Sequence, residues 1–128
     1  MKQNILVVDD HRENLIALEA ILDADGRNLV MAQSGNEALS LALKHDFALV
    51  LLDVQMPEMD GLETTRRVRA MEGCCRQPWI IALTANAMLE DRTECLNAGM
   101  NDYLSKPIDV EKLVSALENG AKASLEPM

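Results

Sequence analysis

Aromatic side chains are almost missing: the 128 residues include one Trp, one Tyr and one Phe. With 48% of residues hydrophobic, a chain of one-domain length still buries a sizeable core, but that core must be aliphatic. Cysteine is equally scarce. Cys74, Cys75 and Cys95 match neither a disulfide framework nor a zinc-ligand spacing, and the adjacent pair bridges only with strain, so ordinary reduced thiols are expected. No apolar run reaches membrane-spanning length, and Met1-Lys2-Gln3-Asn4 leads into a strand pattern without the apolar segment of a signal peptide. A cytoplasmic protein without membrane contact by this domain is expected. Basic residues are outnumbered too. The formal net charge of −9 argues against nucleic acid, whose phosphates require basic patches. No linker, repeat or low-complexity stretch divides the chain, so residues 1–128 read as one domain.

What is present is organised around Leu49-Val50-Leu51-Leu52-Asp53-Val54-Gln55-Met56-Pro57-Glu58-Met59-Asp60-Gly61. A short apolar run bounded by turn residues predicts a strand buried on both faces, as in a parallel sheet. Asp53 then stands at the carboxyl end of that strand, the edge where open α/β sheets bind ligands. On its own, Asp53 also reads as a simple turn initiator.

The other segments repeat the arrangement. Ile5-Leu6-Val7-Val8 predicts a first strand running into Asp9-Asp10. A helix over 12–23 has Leu15, Ile16, Leu18, Ile21 and Leu22 on one face, and Asp25-Gly26 stops it. Leu29–Ala32 is a second strand, and Ser34-Gly35-Asn36-Glu37 has the spacing of a capping box for a helix to about Lys44, with Ala38, Leu39, Leu41 and Ala42 buried. The third strand covers Ala48–Leu52. Asp60 caps a third helix that turns Leu62, Val68 and Met71 inward. Trp79–Leu83 forms the fourth strand, followed by Thr84-Ala85-Asn86, and a helix from about Ala87 closes at Gly99, a residue suited to the left-handed position. Asp102–Ser105 is a fifth strand ending in Lys106-Pro107. Asp109 caps a last helix burying Leu113, Val114 and Leu117, and the tail from Gly120 is expected to fray.

Strands alternating with helices predict an α/β domain, a doubly wound parallel five-stranded sheet with helices on both faces. The polar residues that interrupt the pattern recur at one place in each unit: Asp9 and Asp10, Asp53, Thr84 and Lys106 all follow strands. They converge on one cleft. Three carboxylates brought together repel unless a cation sits among them, and an oxygen donor set suits Mg²⁺ (or Mn²⁺), which keeps waters and accepts phosphate oxygens. A lysine and a hydroxyl beside a carboxylate nucleophile suit phosphoryl transfer through an aspartyl phosphate.

Asp9-Asp10, the Leu51–Gly61 segment, Ala82-Leu83-Thr84-Ala85 and Lys106-Pro107 together resemble the receiver domain of two-component response regulators over residues 4–119. The resemblance implies a flavodoxin-like (βα)5 fold with strand order 2-1-3-4-5, and a phosphoacceptor switch in a phosphorelay rather than a conventional enzyme. It implies that Asp53 is the phosphoacceptor, that Asp10 ligates Mg²⁺ directly and Asp9 through water, and that the main-chain carbonyl of Gln55 completes the protein ligands. Lys106 matches the residue that pairs with phosphoryl oxygens, Thr84 the hydroxyl that moves to bond them, and Tyr103 the aromatic switch. The bond before Pro107 matches one that is usually cis. Gln55 and Asn86 occupy positions that tune acyl-phosphate hydrolysis. Implied partners are a histidine kinase or histidine phosphotransfer domain; phosphorylation is expected to shift the surface around the fourth helix, fifth strand and fifth helix, with the receiver a monomer or a phosphorylation-dependent dimer. Leu83–Ala87 and Gly99–Ile108 are most similar to receivers joined to hybrid sensor histidine kinases. Because the chain ends just past the fifth helix, no effector domain is expected on it, and a stand-alone regulator and a receiver of a longer protein are both open.

Each residue also has a plainer reading: Asp9 and Asp10 as a helix cap, Thr84 as an N-cap, Tyr103 as core, His11 and His45 as solvated side chains, and the methionines as packing. A phosphohydrolase with an aspartate nucleophile would carry a second acid two residues on, where Gln55 stands. A flavodoxin-like cofactor binder would need a Gly- or Ser/Thr-rich phosphate loop where Asp9-Asp10-His11-Arg12 stands. A phosphorylation-independent interaction module is separated from the switch only by a test of Asp53.

Overall fold

The computed structural model describes residues 3–22, 27–45, 47–54, 56, 58–70, 78–84, 89–105 and 109–125. The strands are β1 (Gln3–Val8), β2 (Arg27–Ala32), β3 (Leu49–Asp53), β4 (Trp79–Thr84) and β5 (Asp102–Ser105). Between and after them come α1 (Arg12–Leu22), α2 (Gly35–Lys44), α3 (Gly61–Ala70), α4 (Leu89–Ala98) and α5 (Val110–Leu125). All four strand pairings are parallel and the order is β2-β1-β3-β4-β5. Both the doubly wound sheet and its order are as expected.

Two cores follow from strand alternation. Ile5, Val7, Leu49, Leu51, Ile81 and Leu83 pack on one side of the sheet with α1 and α5. Their neighbours Leu6, Val8, Val50, Leu52, Ile80 and Ala82 pack on the other, toward α2, α3 and α4. Phe47 apart, the buried members of both clusters are aliphatic or sulfur-bearing side chains.

Two helix faces are narrower than expected. In α1 the buried residues are Leu15, Leu18 and Leu22, while Ile16 is 61% exposed. At 3.6 residues per turn, Ile16 lies about 100° round the helix from Leu15, on the side away from Leu18. The same offset carries Val114 of α5 away from Leu113, leaving it 37% exposed. The stripe actually buried is Leu113, Ala116, Leu117 and Gly120.

Helix α5 runs past Gly120 to Leu125. A Cβ at Gly120 would strike the Leu49 side chain and come within 2.7 Å of Trp79 Cδ1. The missing side chain therefore lets the helix settle on β3 and β4. Gly120→Val should lower unfolding stability by about 1–3 kcal/mol in chemical denaturation, the usual range for overpacking.

Arg69, at the end of α3, ties together elements at the opposite edge of the sheet from the acids. Its Nε donates to the Gly99 carbonyl at 2.9 Å, one terminal nitrogen to the Pro78 carbonyl at 2.8 Å and the other to Asn101 Oδ1 at 2.7 Å. Asn101 Oδ1 also accepts from Ile80 N at 2.9 Å. Burial lowers the guanidinium pKa from its usual value, as desolvation does to any cation. Arg69→Ala should cost about 2–3 kcal/mol of stability, since charge-assisted bonds are lost and their acceptors stay behind. Urea unfolding measures this directly.

Candidate functional site

The sequence order of the strands reverses between β1 and β3, and at that point adjacent crossovers leave toward opposite faces. Val8 pairs with Leu52, so Asp9 and Asp53 extend from neighbouring strands at the same level. Asp9 is fully buried and Asp53 is 2% exposed. Carboxylate oxygens of Asp9, Asp10 and Asp53 and a nitrogen of His11 all lie within 4.8 Å of one another. The convergence of the acids is as expected.

The acids differ in their partners. Asp9 Oδ1 accepts from the His11 amide at 2.9 Å, and its Oδ2 accepts from Asn14 Nδ2 at 3.1 Å. Asp9 is thus fixed by the first turn of α1, an anchoring by Asn14 that no motif in the sequence signals. In contrast, Asp10 Oδ1 is buried without a hydrogen-bond partner among the described residues. A buried anionic oxygen left that way is costly unless a cation meets it. Its short contact with His11 Nδ1 at 3.1 Å is an ion pair only when the imidazole is protonated, and the oxygen-rich donor set with the net excess of acids fits a hard divalent ion.

The loop after Asp53 is held close to it. Gly61 N donates to the Val54 carbonyl at 3.0 Å, and a Cβ there would strike the Asp53 carbonyl and lie 2.8 Å from Val54 Cα. Only glycine admits this return. Met56 and Met59 are buried and anchor the loop, while Glu58 takes φ 66°, a left-handed conformation unfavourable to a side chain. Asp60 then caps α3, accepting from Glu63 N at 2.9 Å.

Thr84 is the last residue of β4 and is 4% exposed. Asp53 pairs with Leu83, so Thr84 sits one residue beyond the phosphoacceptor candidate on the adjoining strand. Ala82 pairs with Tyr103 and Thr84 with Ser105. Alternation therefore places Thr84 and Tyr103 on the same face of the sheet, one pleat apart. Tyr103 is half-buried against the core on that face. Gln55, Asn86, Lys106 and Pro107 lie outside the described residues. Among the described residues no helix is long and apolar enough to cross a membrane.

The family model for the response regulator receiver domain matches residues 5–118. The virulence sensor protein BvgS of Bordetella bronchiseptica is 43% identical over 126 residues, covering 94% of this chain and 10% of that protein. The aerobic respiration control sensor protein ArcB of Escherichia coli K12 is 38% identical over 115 residues, covering 90% of this chain and 15% of ArcB. The chain thus spans between 10% and 15% of the length of these two relatives. Among solved structures, the receiver domain of sensor histidine kinase PA1611 from Pseudomonas aeruginosa PAO1, with magnesium coordinated in its active site cleft, superposes with a TM-score of 0.84. It is 38% identical, with 95% of this chain and 99% of that one covered.

Proposed function

The chain belongs to the response regulator receiver domain family, and from that premise we propose that Asp53 is its phosphoacceptor, loaded from a phosphohistidine. The supporting observation is a buried Asp53 at the end of β3 with Asp9 and Asp10 gathered beside it at the point where strand order reverses. Asp9, Asp10, Asp53 and the Gln55 carbonyl would hold Mg²⁺. Bound there, the ion supplies positive charge against which phosphoryl oxygens can approach three acids.

The Asp53 carboxylate attacks phosphorus, a P–O bond forms as the donor's P–N bond breaks, and the imidazole departs. Lys106 pairs with the phosphoryl oxygens. The Thr84 hydroxyl donates to one of them and shifts toward it, opening space into which Tyr103 turns. New charge-assisted contacts in the phosphorylated state thereby change the populations of the surface around α4, β5 and α5. Similarity to sensor proteins over most of this chain supports a receiver of a hybrid sensor histidine kinase, with a histidine kinase or phosphotransfer domain as partner.

The test is transfer from a histidine phosphotransfer domain carrying labelled phosphohistidine. Label passing to this chain in Mg²⁺, and staying on the donor in EDTA, is expected. Label retained by every phosphohistidine donor tried, with Mg²⁺ present, would leave a module that works by binding alone.

A further inference from the structure

We propose that Asn14 is a positioning residue for the phosphoryl-transfer site, its side-chain amide fixing the Asp9 carboxylate in the orientation in which that acid serves the cation. The proposal rests on the cation reading above and concerns a residue that does not itself touch the ion.

Asp9 is fully buried, and its main chain is set by the sheet, where its N–H donates to the Ala32 carbonyl of β2 at 3.1 Å. That bond leaves the carboxylate free to turn about its side-chain bonds. The His11 amide, donating to Oδ1 at 2.9 Å, still permits rotation about the bonded oxygen. Asn14 Nδ2 donates to the other oxygen, Oδ2, at 3.1 Å, and two donors on opposite oxygens stop the rotation. Asn14 is the third residue of α1, and its own amide donates to the His11 carbonyl at 3.1 Å. Both donors therefore ride on one helical turn, and the acid turns only if that turn moves.

The residue type matters as much as its place. An amide is neutral, so it orients a carboxylate without cancelling its charge, whereas Lys or Arg there would offset Asp9 and repel an incoming ion. Mg²⁺ demands near-ideal octahedral geometry and keeps several waters. An acid that reaches it through water must therefore present its oxygen in a fixed direction, and groups that hold such acids govern affinity without contacting the metal.

A plain tie at the end of α1 would make the same hydrogen bonds, so the experiment separates the two roles. Mn²⁺ affinity of the intact chain is read from loss of the free-ion electron paramagnetic resonance signal, with urea unfolding in EDTA as the measure of fold. Asn14→Ala should weaken Mn²⁺ binding about tenfold, and Asn14→Leu, closer to asparagine in shape, should do the same. In an Asp9→Asn background, where no charge is left to orient, Asn14→Ala should change the affinity by less than about twofold. Unchanged Mn²⁺ affinity in both single variants, with only the urea midpoint lowered, would overturn the proposal and leave Asn14 a structural tie. The full loss repeated in the Asp9→Asn background would overturn it as well, because Asn14 would then act through another group. A parent chain that binds no Mn²⁺ would overturn the cation reading itself.

Discussion

Asp53→Ala should acquire no phosphoryl group from acetyl phosphate under conditions in which the parent chain is expected to gain one per molecule. Removing a covalent nucleophile leaves positioning and charge without an atom to attack phosphorus, so the expected loss in rate is about a thousandfold or more. Asp9 and Asp10 do not substitute. Asp9 is committed to His11 N and Asn14 Nδ2, and Asp10 leads into α1 from the loop end of β1. The variant should stay folded, because it loses a buried carboxylate rather than a packing group and the Cβ of the strand residue is kept. Intact mass reads incorporation, and circular dichroism reads the fold.

Mg²⁺ at about a hundred times its dissociation constant should raise stability by about 2.7 kcal/mol, about 10 °C in Tm for a domain of this size. Carboxylate oxygens of three acids within 4.8 Å repel each other in the folded chain, and a cation that binds only that state reverses the repulsion. Asp10→Asn should reduce the shift to about 2 °C or less and raise the Tm of the metal-free chain, because one of three close charges is gone. Scanning calorimetry with and without Mg²⁺ measures both effects. An unchanged shift in the variant would show the ion binding somewhere else.

The sheet and its polar edge were legible because the signals are local. Apolar runs ending in Asp9-Asp10, Asp53 and Thr84 mark strands and place those residues at one end of them, and the parallel sheet does the rest. Caps were legible for the same reason: Ser34 accepts from Glu37 N at 3.1 Å, and Glu37 reaches back to Gln33 N at 2.8 Å. Gly99, at φ 110°, closes α4 as its position suggested. Helix faces were less legible. Ile16 and Val114 obey apolar periodicity but stand beyond the contact stripe, whose width depends on how close the helix lies to the sheet. In α5 that distance is set by Gly120, whose small size carries no periodic signal.

Long-range polar contacts were hidden altogether. Arg69 looks like a surface residue of a basic helix end, and only folding brings Gly99, Pro78 and Asn101 to it. Likewise His11 read as a solvated side chain, and its exposure agrees, yet the first turn of α1 brings Nδ1 against the acids. Asn14 holds Asp9 from five residues away.

The measurement that bears most directly on the assignment of Asp53 is chemical location of the phosphoryl group. Borohydride reduction of the phosphorylated chain converts an aspartyl phosphate to homoserine at the residue that carried it, and peptide mass spectrometry identifies the position. Homoserine at position 53 and at no other aspartate is the predicted result. Conversion at Asp9, Asp10 or a residue outside the cluster, with Asp53 intact, would contradict it.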